Sequence, residues 1–190
     1  MILNLISLAT VKTQLGLTDT TYDARITAML PIVSSDVRRI LNYNFDSYFP
    51  ATITDGSAEI DLYHGDRRFF ELNEPMYFDL GQVIYNPNLP DDTYLQSYNP
   101  DTGIFTMSGS ATGAGDYVYL GLKVSQWPTV SKMIFYRISK QNTTSVSDEK
   151  LSSYSYGPVS KTYAESEINK KWNYPQSLID DLGTPYVSVI

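Results

Sequence analysis

Residues 117–141 read YVYLGLKVSQWPTVSKMIFYRISKQ, and the fold class turns on where this stretch is divided. From Asp116 to Val124 the pattern has the aromatic and β-branched character of a strand. At Trp127-Pro128 the period changes. Pro128 suits the first position of a helix, where its missing N–H is not needed. Val130, Met133, Ile134 and Ile138 then fall on one helical face. The chain therefore passes from a β region into a helical one at this point, and each region can be traced outward from the junction.

Upstream, AEIDLYHG, RRFFEL, GQVIYN, TYLQSY and GIFTMSG are further strand candidates. The intervening TDG, NEP, NPNLPDD, NPDTG and GSATGAG are turn chemistry. YLQSYNPDTGIFTM, residues 94–107, reads as a hairpin with Gly103 at a left-handed position. GSATGAG has no Lys and helix start after it, so it reads as a flexible hairpin loop rather than a phosphate loop.

Before residue 46 the period is helical. Ser7 is the expected cap of a helix from Leu8 to Leu15, with Gly16 as its stop. Thr20 and Asp23 suggest a capping-box start for a second helix. Ile26, Met29, Leu30, Val33, Val37, Ile40 and Leu41 form its apolar stripe, and Pro31 within it predicts a kink.

Downstream of the junction, KLSSYSYGPVSKTYAESE, residues 150–167, alternates Tyr with Ser and Thr around Gly157-Pro158. That period of two predicts a hairpin over 151–163. Gly-Pro is a poor two-residue hairpin loop, so a looser turn is expected. A lone two-stranded hairpin is marginal in water and needs a surface to lie on. YPQSLIDDLGTPY gives a short closing helix, started near Pro175 and stopped by Gly183 and Pro185.

The predicted class is α+β. A small helical bundle, 1–45 plus 123–190, carries an inserted antiparallel β module, 46–122, and a protruding C-terminal hairpin at 151–163.

Charge is segregated along this plan. The net charge is −7. Residues 46–122 hold two basic and twelve acidic groups, and the flanking regions are slightly basic. So acidic a module is poorly suited to sequence-independent nucleic-acid binding, which needs clustered Lys and Arg. The basic pairs Arg38-Arg39 and Lys170-Lys171 read either as contacts to DNA phosphate or an acidic neighbour, or as solvated helix faces.

Catalytic material is sparse. There is no cysteine, and His64 is the one histidine. His64 sits at a strand end near Asp61 and Asp66 without a metal-ligand spacing. No nucleophile elbow occurs. The acidic residues sit at alternating strand positions or in turns rather than as a recognisable carboxylate pair. We therefore expect no enzyme, no cofactor and no metal. No apolar run is long enough to span a membrane, and no signal peptide is expected. The expected home is a cytosol, or a particle assembled there. The 16 tyrosines suit a protein–protein interface, or equally a glycan-binding surface.

The order of elements and four local motifs resemble the head-to-tail connector (adaptor, or head-completion) proteins of tailed bacteriophages. The motifs are LATVKTQLGLTDTTYDARITAMLPIVSSDVRRILNYNF, YVYLGLKVSQWPTVSKMIFYRISKQ, the Tyr-rich hairpin and YPQSLIDDLGTPY. The resemblance implies a structural virion protein at the capsid–tail junction, assembled in the host cytoplasm. It implies a homo-oligomeric ring, generally dodecameric, beneath the portal, extending the DNA channel. DNA would pass without sequence-specific binding, and the tail or a further completion protein would dock below. On that reading the hairpin residues Tyr154, Tyr156, Gly157, Pro158, Val159 and Tyr163 would meet a neighbouring subunit or the portal. So would the apolar tail residues Tyr186, Val187, Val189 and Ile190. The residues leave open an alternative, a carbohydrate- or receptor-binding β module of a phage tail protein.

Overall fold

The change of period at Trp127 coincides with a boundary between two compact units in the computed structural model. The model describes residues 4–46, 48–62, 78–141, 153–156, 159–162 and 168–183. Within those residues one unit covers 45–125 and the other 4–44 with 126–183. The class is mixed α+β, with four α-helices and one six-stranded antiparallel sheet among the described residues.

The first unit is the sheet. Its strands are β1 (Tyr48–Ile53), β2 (Glu59–Leu62), β3 (Gln82–Tyr85), β4 (Leu95–Asn99), β5 (Ile104–Met107) and β6 (Gly115–Lys123). They lie in the order β3-β6-β1-β2-β5-β4. The two edge strands also meet. Gly81 N–H donates to Leu95 O at 2.7 Å and Ile84 N–H to Thr93 O at 2.8 Å, with a bridge between Val83 and Tyr94. The sheet thus curls toward closure, which removes much of the unpaired edge that would otherwise template aggregation. Its interior holds Phe78, Ile84, Leu95, Phe105, Val118 and Leu120, with Ile53 and Ile60 from the paired strands.

β1 is absent from the sequence reading, and the reason is physical. Its segment YFPATI contains Pro50, and proline inside a run argues against a central strand. Here β1 is central, lying between β6 and β2. Pro50 is in register with Tyr117 on β6, and the β1–β6 register shifts just after it, between Pro50 and Ile53.

The GSATGAG segment is not the loose loop expected. Ala111 is buried, and its N–H donates to Ser57 O at 2.8 Å. Asn88 Nδ2 donates to Ala114 O at 2.6 Å and Asn86 Nδ2 to Tyr117 O at 2.7 Å. A Cβ at Gly113 would lie 3.1 Å from the Asn88 side chain, and one at Gly115 3.0 Å from Asn86. Glycine leaves the space there in which the two asparagines of NPNLPDD reach the backbone. RRFFEL and His64 lie outside the described residues.

The second unit contains α1 (Leu8–Leu15), α2 (Asp23–Leu41), α3 (Trp127–Gln141) and α4 (Gln176–Leu182). α3 is central and packs against α1, α2 and α4. Val130, Met133, Ile134 and Ile138, the stripe read from sequence, are all buried. α1 is built as its sequence dictates. Ser7 Oγ accepts from Thr10 N–H at 3.1 Å, and Gly16 ends the helix at φ 65°. α2 departs from expectation at its start. The cap is Tyr22, not Thr20, and no side chain caps it. Asp19 is drawn instead into a turn, accepting from Thr21 N–H at 2.9 Å. That bond holds the Asp19 carboxyl below the usual carboxylate range. Asp23 opens the first turn, where it suits the helix dipole and meets Lys12 at 2.8 Å. Helix α2 runs through Pro31 without a break in its span.

Two small hairpins complete this unit. β7 (Ser153–Tyr156) pairs with β8 (Val159–Thr162), and β9 (Ile168–Asn169) with β10 (Tyr174–Pro175). The β7–β8 register pairs Tyr156 with Val159, and Gly157-Pro158, where a looser turn is expected, lies outside the described residues. β7 runs close to α3.

Candidate functional site

The second unit brings Arg39 of the first basic pair and the Lys170-Lys171 turn to one corner, and a polar tie joins the elements that carry them. Asp36 on α2, Arg137 on α3 and Tyr174 on β10 are far apart in sequence and meet side to side. Asp36 Oδ2 accepts from Arg137 Nη2 at 2.7 Å and from the Tyr174 hydroxyl at 2.7 Å. The same hydroxyl accepts from Arg137 Nε at 2.8 Å. The guanidinium also stacks 4.6 Å from the Tyr174 ring centroid. Burial pushes the Tyr174 phenol well above its usual range, so it stays protonated and available as a donor. Burial disfavours the charge on Arg137, but the bonds to Tyr174 and Asp36 outweigh it and hold that charge. Tyr136, next to Arg137 on α3, has its phenol pushed up to about 12 by burial.

Tyr174 is the root of a short tip, and the tip carries the charge. Residues 169–174 read NKKWNY. Asn169 Oδ1 accepts from the N–H groups of Lys171 at 3.0 Å and Trp172 at 3.2 Å, a side-chain-stabilised turn. Asn173 closes the tip with φ 58°, a conformation asparagine tolerates, and its N–H donates to Asn169 O at 2.8 Å. Lys170 and Lys171 therefore sit exposed on a turn, not on a solvated helix face as the sequence allowed.

Trp172 gathers the cations. The Arg39 guanidinium lies 5.4 Å from its ring centroid and the Lys171 ammonium 4.6 Å. Such exposed cation–π contacts contribute about 0.5–1 kcal/mol each. Arg39 keeps 66% of its side chain exposed and lies 3.9 Å from Asp36. Lys140 reaches Asn173 Oδ1 at 3.5 Å and lies 5.4 Å from the Tyr136 ring centroid. The outcome is a cationic–aromatic corner of Arg39, Lys140, Lys171 and Trp172, with Lys170 exposed on the same turn. Arg38 is not directed to it. Its Nε donates to Asn44 O at 3.0 Å, beyond the end of α2.

Sequence reasoning found the two basic pairs but not that Arg39 and Lys171, one from each, meet on Trp172. Trp172, Asp36, Arg137 and Tyr174 were missed. The bracket of Asn169 and Asn173 around KKW was the available signal for a tip, since asparagine favours such turns. Of the other expected site residues, Tyr154, Tyr156 and Val159 lie in β7 and β8, where Tyr154 pairs with Lys161. Gly157, Pro158, Tyr163, Tyr186, Val187, Val189 and Ile190 lie outside the described residues.

The sheet unit carries a separate aromatic feature on its outer face. Tyr48, which is 66% exposed, packs edge-on against Tyr117 and Tyr119, with centroids 6.3 Å away in each case. Tyr117 and Tyr119 lie 5.6 Å from each other. The register pairs Tyr119 with both Tyr48 and Tyr85, so a row of tyrosines crosses three strands. A Cβ on Gly121 would collide with the Tyr85 ring.

Among the described residues no group of three or more His, Asp or Glu side chains is placed to hold a metal, and no helix is long and apolar enough to cross a membrane. No protein-family description, curated protein or solved structure matches the chain.

Proposed function

We propose that the chain is a structural connector of a tailed-phage particle, forming a homo-oligomeric ring beneath the portal and joining the capsid to the tail. The observation that supports this reading is the sequence of elements. A short helix ends in a left-handed Gly16 and is followed by the long helix α2. β6 then leads into the Pro-started α3, a Tyr-rich two-stranded hairpin follows, and α4 closes the described residues. Each of the four resembling motifs includes a described element of the kind the connector reading needs. On this reading the ring is dodecameric, DNA passes through it without sequence-specific contact, and the work is done by docking surfaces rather than by catalysis. The hairpin and the apolar residues 186–190 would engage the portal or a neighbour.

The experiment is docking on portal-containing, tail-less heads, followed by co-sedimentation. The full chain is expected to sediment with the heads. A variant lacking residues 184–190 is expected to keep its far-ultraviolet circular dichroism but stay in the supernatant. Equal docking of the two removes the tail from the reading, and no docking of either removes the reading itself.

A second reading, a carbohydrate- or receptor-binding module of a tail protein, draws on the exposed Tyr48–Tyr117–Tyr119 cluster, because aromatic rings pack well on sugar faces. Reproducible glycan-array binding, lost in Tyr48→Ala, would favour it over the connector.

A further inference from the structure

Two surfaces of opposite charge lie on the two units. The first is the cationic corner. The second is one end of the sheet. Ile53 pairs with both Ile60 and Gly115, which brings together the turn after β1, the start of β2 and the start of β6. These three places carry Asp55, Glu59 and Asp116, all exposed. None of the three makes an ion pair among the described residues. The described cation of this unit, Lys123, is at the opposite end of the nine-residue β6, where it pairs with Asp79. The acidic end therefore has no compensating charge in its own unit among the described residues.

We propose that the corner of Arg39, Lys170, Lys171 and Trp172 on one copy docks on the acidic sheet end, Asp55, Glu59 and Asp116, of a second copy. The inference rests on the connector reading for its biological setting and names the contact that reading lacks. Charge complementarity selects the occupant. A chain of net charge −7, with the excess acid in the sheet region, repels a polyanion as a whole. Its own acidic end is nevertheless a partner for a small fixed cationic patch.

Nucleic acid is disfavoured by the corner's geometry too. Base stacking needs an open aromatic face, whereas the Trp172 ring already carries Arg39 and Lys171. The contact joins unlike patches, so each copy offers one of each. Such heterologous contacts run head to tail and close into a ring when the rotation permits. Charge at the rim of such a contact steers encounter and sets register, and it weakens as salt rises.

A charge-swap test decides the proposal. One variant carries Arg39→Glu, Lys170→Glu and Lys171→Glu; the other carries Asp55→Lys, Glu59→Lys and Asp116→Lys. All six positions are exposed, so both variants should fold, and circular dichroism checks this. Self-association is followed by sedimentation velocity at low salt. The wild-type chain is expected to associate. Each variant alone should lose at least tenfold in association constant. Their equimolar mixture should recover it, because acidic corner then meets basic end and basic corner meets acidic end.

Carbodiimide treatment of a light-and-heavy isotope mixture supplies the second readout. It should join Lys170 or Lys171 of one copy to Asp55, Glu59 or Asp116 of another. A wild type that stays monomeric overturns the proposal. So do a variant that associates normally, a mixture that does not recover, and crosslinks confined within one copy. Binding of duplex DNA that the corner variant abolishes also overturns it, in favour of a phosphate site. Association through these surfaces without docking on heads would leave the contact standing and remove the connector reading, so the two failures are distinguishable.

Discussion

The two units are held together by different means. In the sheet unit every strand pairing is antiparallel, and hydrophobic packing inside the curled sheet supplies the cohesion. In the helical unit segments far apart in the chain must find each other. Asp36 meets Arg137 across 101 residues and Tyr174 across 138. A sheet core is non-directional and tolerates adjustment. A partly buried ionic tie is directional, and its value lies in fixing one arrangement of α2, α3 and β10. The tie also serves the surface, because Tyr174 roots the tip that presents Lys170, Lys171 and Trp172. The contrast predicts that the two units fail differently.

The largest effect is expected in the sheet unit. Phe105 is fully buried and packs against Phe78 at 6.2 Å and Tyr98 at 4.7 Å between centroids. Phe105→Ala should cost about 4 kcal/mol in chemical denaturation. A cost below about 1 kcal/mol would mean the interior is not packed as described.

Asp36→Ala comes next. It takes from Arg137 Nη2 and the Tyr174 hydroxyl their shared acceptor and should cost about 2 kcal/mol. Both tryptophans, Trp127 and Trp172, belong to the helical unit, so their fluorescence follows that unit's unfolding. The transition should move to lower denaturant, and Arg39 and Lys171 should lose their fixed place on Trp172. An unchanged transition would break the comparison, since the tie would then fix nothing.

Alkaline pH gives a smaller and more selective effect on the same unit. Burial raises Tyr136 from 10.0 to about 12, so the folded state holds this proton more tightly than the unfolded chain. The stability this contributes is complete below pH 10 and is lost as pH rises from 10 toward 12. Tyr136→Phe should flatten that part of the pH dependence, measured by the tryptophan transition. An alkaline loss as steep as in the wild type would assign it elsewhere.

The smallest effect is Gly121→Ala, where the new methyl displaces the Tyr85 ring. A cost of about 1–2 kcal/mol is expected. A neutral result would mean the ring swings aside freely and the tyrosine row is not fixed.

What was legible in the sequence follows from range. Helix α1 with its Ser7 cap and Gly16 stop, and the hairpin from Leu95 to Met107 with Gly103 at φ 74°, are fixed by neighbours in the chain and were read directly. The mixed α+β class followed from the two periods on either side of Trp127. β1 was hidden because Pro50 argues locally against a strand, and the strands that pair with it, β2 and β6, are set by contacts outside its own segment. The firmness of GSATGAG was hidden because the groups that hold it, Asn86 and Asn88, belong to another loop. The same holds for the corner. Arg39 and Lys171 stood out as members of basic pairs, but nothing local connects them. Their meeting on Trp172 depends on a tie whose members come from three separate elements.

The proposed role as a ring-forming connector can be read from the mass of portal-containing heads. After mixing with the chain and removal of excess, heads should gain a fixed multiple of the 21.4 kDa subunit. Electron micrographs should show a ring of density below the portal. Heads that gain no mass, or gain it in scattered numbers without a ring, would contradict the account.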